Sequence, residues 1–363
     1  MTARGTVTVV VGAQFGSEAK GAVCAALAKR DYGNRGHASV RVGGSQAGHT
    51  AYDKIGRAWA LRHIPVAAVV NPDARLLIAR GSEIDPDVLL DEIIRLEDAG
   101  FEIKNRLFVD RSATVIQDHH KHREASEGLT ARLGSTAKGV GAARADRIMR
   151  TAQIWGDVAD GLGLRSWDVA ALQTALIAAG QHIVIEGVQG YGLGLHTEHY
   201  PKSTSSDTDA ATFLALAGVS PWQENCDPVR VVLVARTFPI RVAGNSGDMH
   251  AETDWETLGL TPELTTVTRK VRRVGHWDED LVLDAIRANG GPAPTVELAI
   301  SMLDQRYAET ENVEFHDLKT DAPTAWRWLE YLQETYHTRI GMVGTGPDSW
   351  SVSDHSMLAG DYK

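Results

Sequence analysis

The sequence predicts an α/β protein, a single large domain with a mostly parallel central sheet flanked by helices, and three observations carry that expectation. A β-branched run, Thr6-Val7-Thr8-Val9-Val10-Val11, ends in a glycine-punctuated turn that opens a helix. The same order of strand and glycine loop returns at 39–48 and at 182–190. Between these junctions, strand patterns alternate with amphipathic helices closed by glycine, the order of a parallel sheet covered by helices.

The first junction organises the rest. Gly12 and Gly16 can take positive φ or let a phosphate approach the backbone, and Lys20 can reach back over the loop as a cation. Free N–H groups and the helix dipole make such a turn an anion site, so the expected ligand is a nucleotide phosphate. Its spacing, Gly12, Gly16, Lys20, Gly21, fits neither G-x-x-x-x-G-K-[ST] nor G-x-G-x-x-G.

A helix over 22–29 follows, then a strand that feeds Gly43-Gly44-Ser45-Gln46-Ala47-Gly48-His49-Thr50. Residues 61–65 and 66–70 read as short buried segments, and 75–79 as a strand. The 87–99 stretch is helical, with Leu89, Leu90, Ile93, Ile94 and Leu96 apolar and Gly100 at the C-cap. After a strand at 107–109, the polar stretch 118–150 reads as a flexible functional loop. Its His119 and His122 read as a solvated face, because no third metal ligand is evident nearby. A helix over 168–179 is closed by Gly180, and strands follow at 182–186, 229–235 and 295–303, with a helix over 325–336. No interior linker or repeat divides the 363 residues.

Hydrophobic content of 43%, charged content of 23% and 35 glycines describe an enzyme-like globular chain rather than a fibrous or disordered one. A formal net charge of -10 argues against a broad nucleic-acid footprint. Cys24 and Cys226 are the only cysteines, too few for a disulfide framework or zinc cluster. No apolar run approaches membrane-span length and the amino terminus has no signal-peptide pattern, so a cytoplasmic location is expected, the host cytoplasm if the chain is phage-encoded.

From Gly12 to Gly21 the chain reads Gly-Ala-Gln-Phe-Gly-Ser-Glu-Ala-Lys-Gly, which resembles the amino-terminal signature of adenylosuccinate synthetases, G-x-Q-W-G-D-E-G-K-G. Where that family carries an aspartate serving as catalytic base and magnesium ligand, this chain has Ser17. The resemblance implies that Gly16, Ser17, Glu18, Ala19, Lys20, Gly21 and Ala22 meet the phosphate donor, with Ser17 and Lys20 catalytic. The 43–50 loop resembles G-G-x-N-A-G-H-T. It implies that His49 is the general acid on the purine 6-oxygen and that the Gly48 carbonyl joins Ser17 at Mg2+. Thr50 is then a donor contact, and Gln46 a contact of the nucleotide substrate.

Gly134-Ser135-Thr136-Ala137-Lys138-Gly139-Val140-Gly141 resembles G-T-T-G-x-G-I-G, which implies Thr136 with Ser135 on the substrate 5′-phosphate. Arg150 falls where family members carry the arginine that reaches across a homodimer into the neighbour's nucleotide site. Gln189, in a stretch resembling E-G-x-Q-G, and Thr204 inherit nucleotide contacts. The cationic stretch 265–275 resembles the aspartate-binding loop, implying Thr266, Val267, Thr268, Lys270 and Arg272 on L-aspartate, with Arg272 also near the donor. Met302-Leu303-Asp304 stands where GTP-dependent members have lysine, leucine, aspartate. Gly344-Thr345-Gly346-Pro347 resembles the S-T-G-P that closes over the donor base. The resemblance runs from Val7 to about Asp348, without the helical insert that longer members carry between Arg150 and Gln181.

The family phosphorylates a purine 6-oxygen and then displaces that phosphate with the amine of L-aspartate. Ser17 changes the purine expected. A shorter side chain leaves space for the 2-amino group of guanine and can hydrogen-bond to it, and this substitution marks phage relatives that use dGMP to make a 2-aminoadenine precursor. Met302 removes the cation that would lie against guanine in the donor site, so ATP or dATP is the expected donor. Removal of the N1 proton stays open among Ser17, a magnesium-bound water and the substrate phosphate. An ordinary synthetase using IMP and GTP is the alternative, and a non-catalytic nucleotide sensor a second; His49 and the cationic loop argue against the sensor.

Overall fold

The computed structural model describes residues 4–265, 270–353 and 356. One nine-stranded sheet runs through it. In chain order its strands are β1 (Thr6–Gly12), β2 (His37–Arg41), β3 (Arg75–Ile78), β4 (Leu107–Val109), β5 (His182–Glu186), β6 (Arg230–Arg236), β7 (Val296–Ser301), β8 (Arg339–Gly344) and β9 (Trp350–Val352). Their order across the sheet is β9-β8-β7-β6-β1-β5-β2-β3-β4. Every pairing is parallel except that of β8 with the edge strand β9. The chain runs outward from β1 to β4, returns to insert β5 beside β1, then crosses to β6 and runs outward the other way. That reversal places a topological switch point at the carboxyl end of β1, where sheets of this kind hold their ligands.

Eight helices matter to the site: α1 (Lys20–Asp31), α2 (Pro86–Asp98), α3 (Asp118–Ser126), α4 (Val140–Met149), α5 (Val169–Ala178), α6 (Ala210–Ala217), α7 (Glu279–Ala288) and α8 (Pro323–Tyr336). Side chains alternate across β1. Val7, Val9 and Val11 enter a core with Ile177 of α5, Phe213 of α6, Ile286 of α7 and Leu329 of α8, whereas Val10 enters a second core with Leu27 of α1 and Ile93 of α2. Each such fully buried aliphatic side chain contributes about 1.5–3 kcal/mol. Asp168, Asp209 and Asp278 cap α5, α6 and α7 by accepting the N–H of the third residue onward. Gly100 and Gly180 follow their helices at φ 90° and 77°.

One expectation needs correction: 118–150 is mostly helical rather than a loop. It holds α3, a short helix (Leu129–Leu133) and α4. The Gln117 carbonyl accepts the N–H of His120 and the His120 ring accepts that of Gln117, which starts α3, while Glu124 caps α4 from the side. The Glu124 cap, set fifteen or more residues from the groups it holds, leaves no trace in the periodicity.

At the opposite, amino end of the sheet, buried Asp31 accepts from His37 Nδ1 at 2.6 Å and His182 Nδ1 at 2.7 Å. The outer ring nitrogens pair with Ser39 and Thr8 hydroxyls. The network ties α1 to β1, β2 and β5. Among the described residues, no helix is long and apolar enough to cross a membrane.

Candidate active site

Loops leaving the carboxyl ends of β1, β2, β5, β7 and β8 surround a cavity of about 1230 Å³, and a second of about 520 Å³ adjoins it. Gln46, Ser135, Thr136, Lys138 and Gln189 line both, so the two form one bipartite space. Its size suits two nucleotides rather than one.

The first loop is held from below by Glu18. Its carboxylate, fully buried, accepts the N–H groups of Gly16 at 2.7 Å and Gln14 at 3.2 Å and pairs with Lys20 Nζ at 2.6 Å. Glu18 therefore shapes the loop from beneath and does not line the cavity, as Gly16 does not; Ser17, Ala19, Lys20, Gly21 and Ala22 do. Lys20 is likewise paired rather than free. The tightness of this junction explains one glycine: a Cβ on Gly190 would sit 2.3 Å from Glu18 Oε1. Gln14 fastens the loop to β6, exchanging two hydrogen bonds with the backbone of Arg236. Ser17 and Ala19 are left at φ 60° and 68°, a conformation that costs non-glycine residues on the order of 1–3 kcal/mol and persists where surroundings dictate it. Ser17 Oγ faces the cationic loop, accepting from Arg272 Nη1 at 2.7 Å.

His49 starts a hairpin, His49–Tyr52 with Ala58–Leu61, that packs on α1; a Cβ on Gly21 would lie 2.7 Å from His49 Cβ. The ring is buried at the mouth of the cavity. Its Nδ1 lies 2.5 Å from Arg41 Nη1 and 3.1 Å from Glu186 Oε2, and Nε2 has no hydrogen-bond partner among the described residues. Burial, then the charges of Arg41 and Lys20, hold its pKa well below the usual histidine value. Burial also lifts the Glu186 carboxyl to about 7, against the pull of Arg41.

Around the second cavity, Ser135, Thr136, Gln189 and Thr204 meet as expected, and Gln46 reaches both chambers. The N–H groups of Gly139 and Gly141, at the start of α4, both donate to Glu124 at 2.7 Å. Ser135, Thr136 and Lys138, the last a cation the motif reading missed, line both cavities from this loop. Arg241, stacked 4.1 Å over the Phe15 ring, is a second cation it missed. Arg150 is exposed and lines neither cavity of its own chain.

Toward the other end, Met302, Asp304, Gln305, Gly346, Pro347 and Trp350 line the larger cavity. Thr50, Gly48, Lys270 and Arg272 border it as well. Gly344 and Thr345 do not: Trp350 packs against Gly344, and the Thr345 hydroxyl donates to Val313 O. Burial raises the Asp304 pKa above the usual carboxylate value. Arg236 holds Glu263 with two hydrogen bonds of 3.2 and 2.6 Å, anchoring the stretch that leads into the cationic loop. Thr266, Val267 and Thr268 lie outside the described residues.

Protein ligands for a metal are sparse here. Ser17 Oγ already accepts from a cation and the Gly48 carbonyl is neutral, so an Mg2+ ion would depend on phosphate oxygens for its anionic ligands. Two clusters of metal-type side chains occur among the described residues, and both are away from the cavity. One is the Asp31 network. The other joins His119 and His120 to Asp146, a third residue from α4 that the sequence reading did not see; His122 is not part of it. His120 Nδ1 accepts the Gln117 N–H, so its proton lies on Nε2 toward Asp146, and that nitrogen has no lone pair for a metal.

The chain matches the family model described as adenylosuccinate synthetase over residues 9–166 and 157–315. It is 34% identical to the adenylosuccinate synthetase of Methanococcus maripaludis (strain C5) over 352 residues, 96% of this chain and 99% of that one. Among solved structures it is similar to the succinoaminodeoxyadenylate synthetase of cyanophage S-2L bound to dGMP and dATP as an energy donor. The TM-score there is 0.79 at 25% identity, over 99% of this chain and 100% of that one. The fully ligated adenylosuccinate synthetase of Plasmodium falciparum superposes with a TM-score of 0.80 at 18% identity, over 96% and 100% of the two chains.

Proposed function

This chain belongs to the adenylosuccinate synthetase family, ligases that form a carbon–nitrogen bond, and on that premise we propose that it condenses L-aspartate with dGMP at the expense of ATP or dATP. The products are N6-succino-2-amino-2′-deoxyadenylate, ADP or dADP, and phosphate. The 6-oxygen of dGMP attacks the γ-phosphorus, and the aspartate amine then displaces the 6-phosphoryl group from C6, so that the purine oxygen leaves in the phosphate.

Ser17 carries the choice of purine. It stands where the family has a carboxylate, at the border of the cavity, with its hydroxyl oriented by Arg272. A hydroxyl there accepts from the guanine 2-amino group and leaves room for it. His49 Nε2 meets the charge growing on the 6-oxygen, where preorganised donors contribute most. Lys20, at the amino end of α1, steadies the transferring phosphate. Lys270 and Arg272 suit the two carboxylates of aspartate. Magnesium, which the family requires, supplies neutralisation of phosphate charge when bound. Similarity to the cyanophage S-2L enzyme, a protein whose structure is bound to dGMP and dATP, supports the same pair of ligands here.

The reading of IMP with GTP has its own support, since relatives at 34% identity carry the name adenylosuccinate synthetase. Product mass after incubation with aspartate and each nucleotide pair separates the two. Under the proposal dGMP is converted and IMP poorly used, because a site built to pair with a 2-amino group leaves polar atoms unpaired without it. Ser17→Asp then loses dGMP turnover by crowding and gains with IMP. Efficient use of IMP alone by the wild type, or equal use of dGMP by both proteins, removes Ser17 from the explanation.

A further inference from the structure

His49 makes its contacts through Nδ1, and the two groups that face this nitrogen make opposite demands. A guanidinium N–H can only donate, so Arg41 Nη1, 2.5 Å away, requires a lone pair on Nδ1. The Glu186 carboxylate, with Oε2 at 3.1 Å, favours a proton there. The shorter contact is the one that structure fixes most firmly. Arg41 ends β2, is 1% exposed, and also donates from Nε to Arg62 O at 3.0 Å and from Nη2 to Ala47 O at 2.5 Å. It cannot turn away without giving up both carbonyls, and its register partner on the adjacent strand is Glu186 itself.

We propose that Arg41 is the positioning residue of His49, holding the imidazole in the tautomer whose proton sits on Nε2, so that the ring meets the purine 6-oxygen as a hydrogen-bond donor. The proposal deepens the reading of His49 given above and rests on it. Nε2 is the ring atom left buried and, among the described residues, without a partner, at the edge of the cavity where that oxygen would lie. The opposite tautomer would turn a lone pair toward an oxygen that gains negative charge. A Glu186 that binds a proton presents a donor of its own to Nδ1 and so favours the same Nε2 tautomer.

Nitrogen NMR of the full-length protein labelled at histidine, free of substrates, reads the tautomer directly; the His49 signals are assigned by their loss in His49→Gln. The wild type should show a protonated Nε2 and a bare Nδ1. A protonated Nδ1 with a bare Nε2 overturns the proposal whatever the enzyme turns over, whereas full activity of His49→Gln would instead sink the catalytic role of His49. Arg41→Met should move the proton to Nδ1, facing Glu186, and lower kcat by about 10²–10⁴-fold, the scale of a misplaced tautomer or a lost oxyanion donor. Its KM for the nucleotides should change far less.

Because Arg41→Met leaves the Glu186 charge buried, the double variant Arg41→Met/Glu186→Gln guards against misfolding. The Val66 N–H already donates to Oε1 of Glu186 at 3.0 Å, so the new amide oxygen is drawn to that side and its NH2 to Nδ1. The double variant should regain the Nε2 proton and at least tenfold of the lost kcat. A folded double variant with that tautomer and no recovery of kcat overturns the proposal, as does an unchanged tautomer in Arg41→Met.

Discussion

Glu18→Gln isolates the ion pair beneath the first loop. The amide is isosteric, and its oxygen, placed at Oε1, keeps the Gly16 and Gln14 N–H groups because both donate to that one atom. What changes is the face toward Lys20, where an NH2 now opposes an ammonium whose side chain is 3% exposed. Removing one partner of a buried pair costs about 3–5 kcal/mol. Exchanging a carboxylate for an amide oxygen weakens the two N–H bonds by roughly another 1 kcal/mol in all. Lys20 borders the cavity, so water recovers part of this, and we expect a net loss of about 3 kcal/mol. Urea unfolding should show it as a lower midpoint at constant slope. Nucleotide phosphate offers Lys20 a replacement anion, so saturating ATP should stabilise Glu18→Gln more than the wild type. A loss below about 1 kcal/mol, or an equal ATP effect on both proteins, would refute the assignment of Glu18 as the anchor of this loop.

Three other outcomes follow from the same geometry. Met302→Lys should move the ratio of initial rates with GTP and ATP toward GTP, since it restores a cation beside Asp304; a clear GTP preference in the wild type contradicts the donor reading. Stability should fall on acidification. Burial holds His63 at about 3 and His182 at about 4, below their ordinary 6.5, so the unfolded chain binds protons that the folded one refuses between those values and 6.5. Their contribution is complete above pH 6.5 and is lost as the pH falls toward 4 for His182 and toward 3 for His63. Glu186, lifted to about 7, works in the opposite sense between 4.5 and 7, so the test is a comparison: His182→Gln should have the shallower acid limb in unfolding experiments, and an identical slope would exclude His182 as its source. Arg150, exposed and outside its own chain's cavities, is expected at a partner's nucleotide site. Sedimentation should find a homodimer, and Arg150→Glu should raise the KM for dGMP more than charge reversal at Arg287, exposed and outside both cavities, does; a fully active monomer rules this out.

The strands and most helices were legible in the sequence because their signal is local. β-branched runs over 6–12 and 230–236, apolar spacing over 86–98 and the glycines that follow α2, α5, α6 and α7 are consequences of burial and backbone sterics at adjacent positions. Glycine loops at strand ends marked the site for the same reason, and Ser17, His49, Gln46, Thr136, Gln189, Lys270 and Arg272 do border one bipartite cavity. Helix α4 was hidden because its cap comes from elsewhere: Glu124 holds its first N–H groups from fifteen or more residues away.

Only the tertiary structure decided what each side chain does once it arrives. Sequence identifies Glu18 and Lys20 as loop residues, but the buried pairing that makes one a support and leaves the other lining the cavity depends on how closely Gly190 approaches. It offers His119 and His122 as a pair, while folding brings Asp146 to His119 and His120 instead. It assigns a role to His49, yet the atom that can act is set by Arg41 and Glu186, which are 8 and 137 positions away in the chain. Periodicity and motifs report on near neighbours; the parallel register of β2 and β5, which joins this arginine and this glutamate, exists only after the sheet has closed around them.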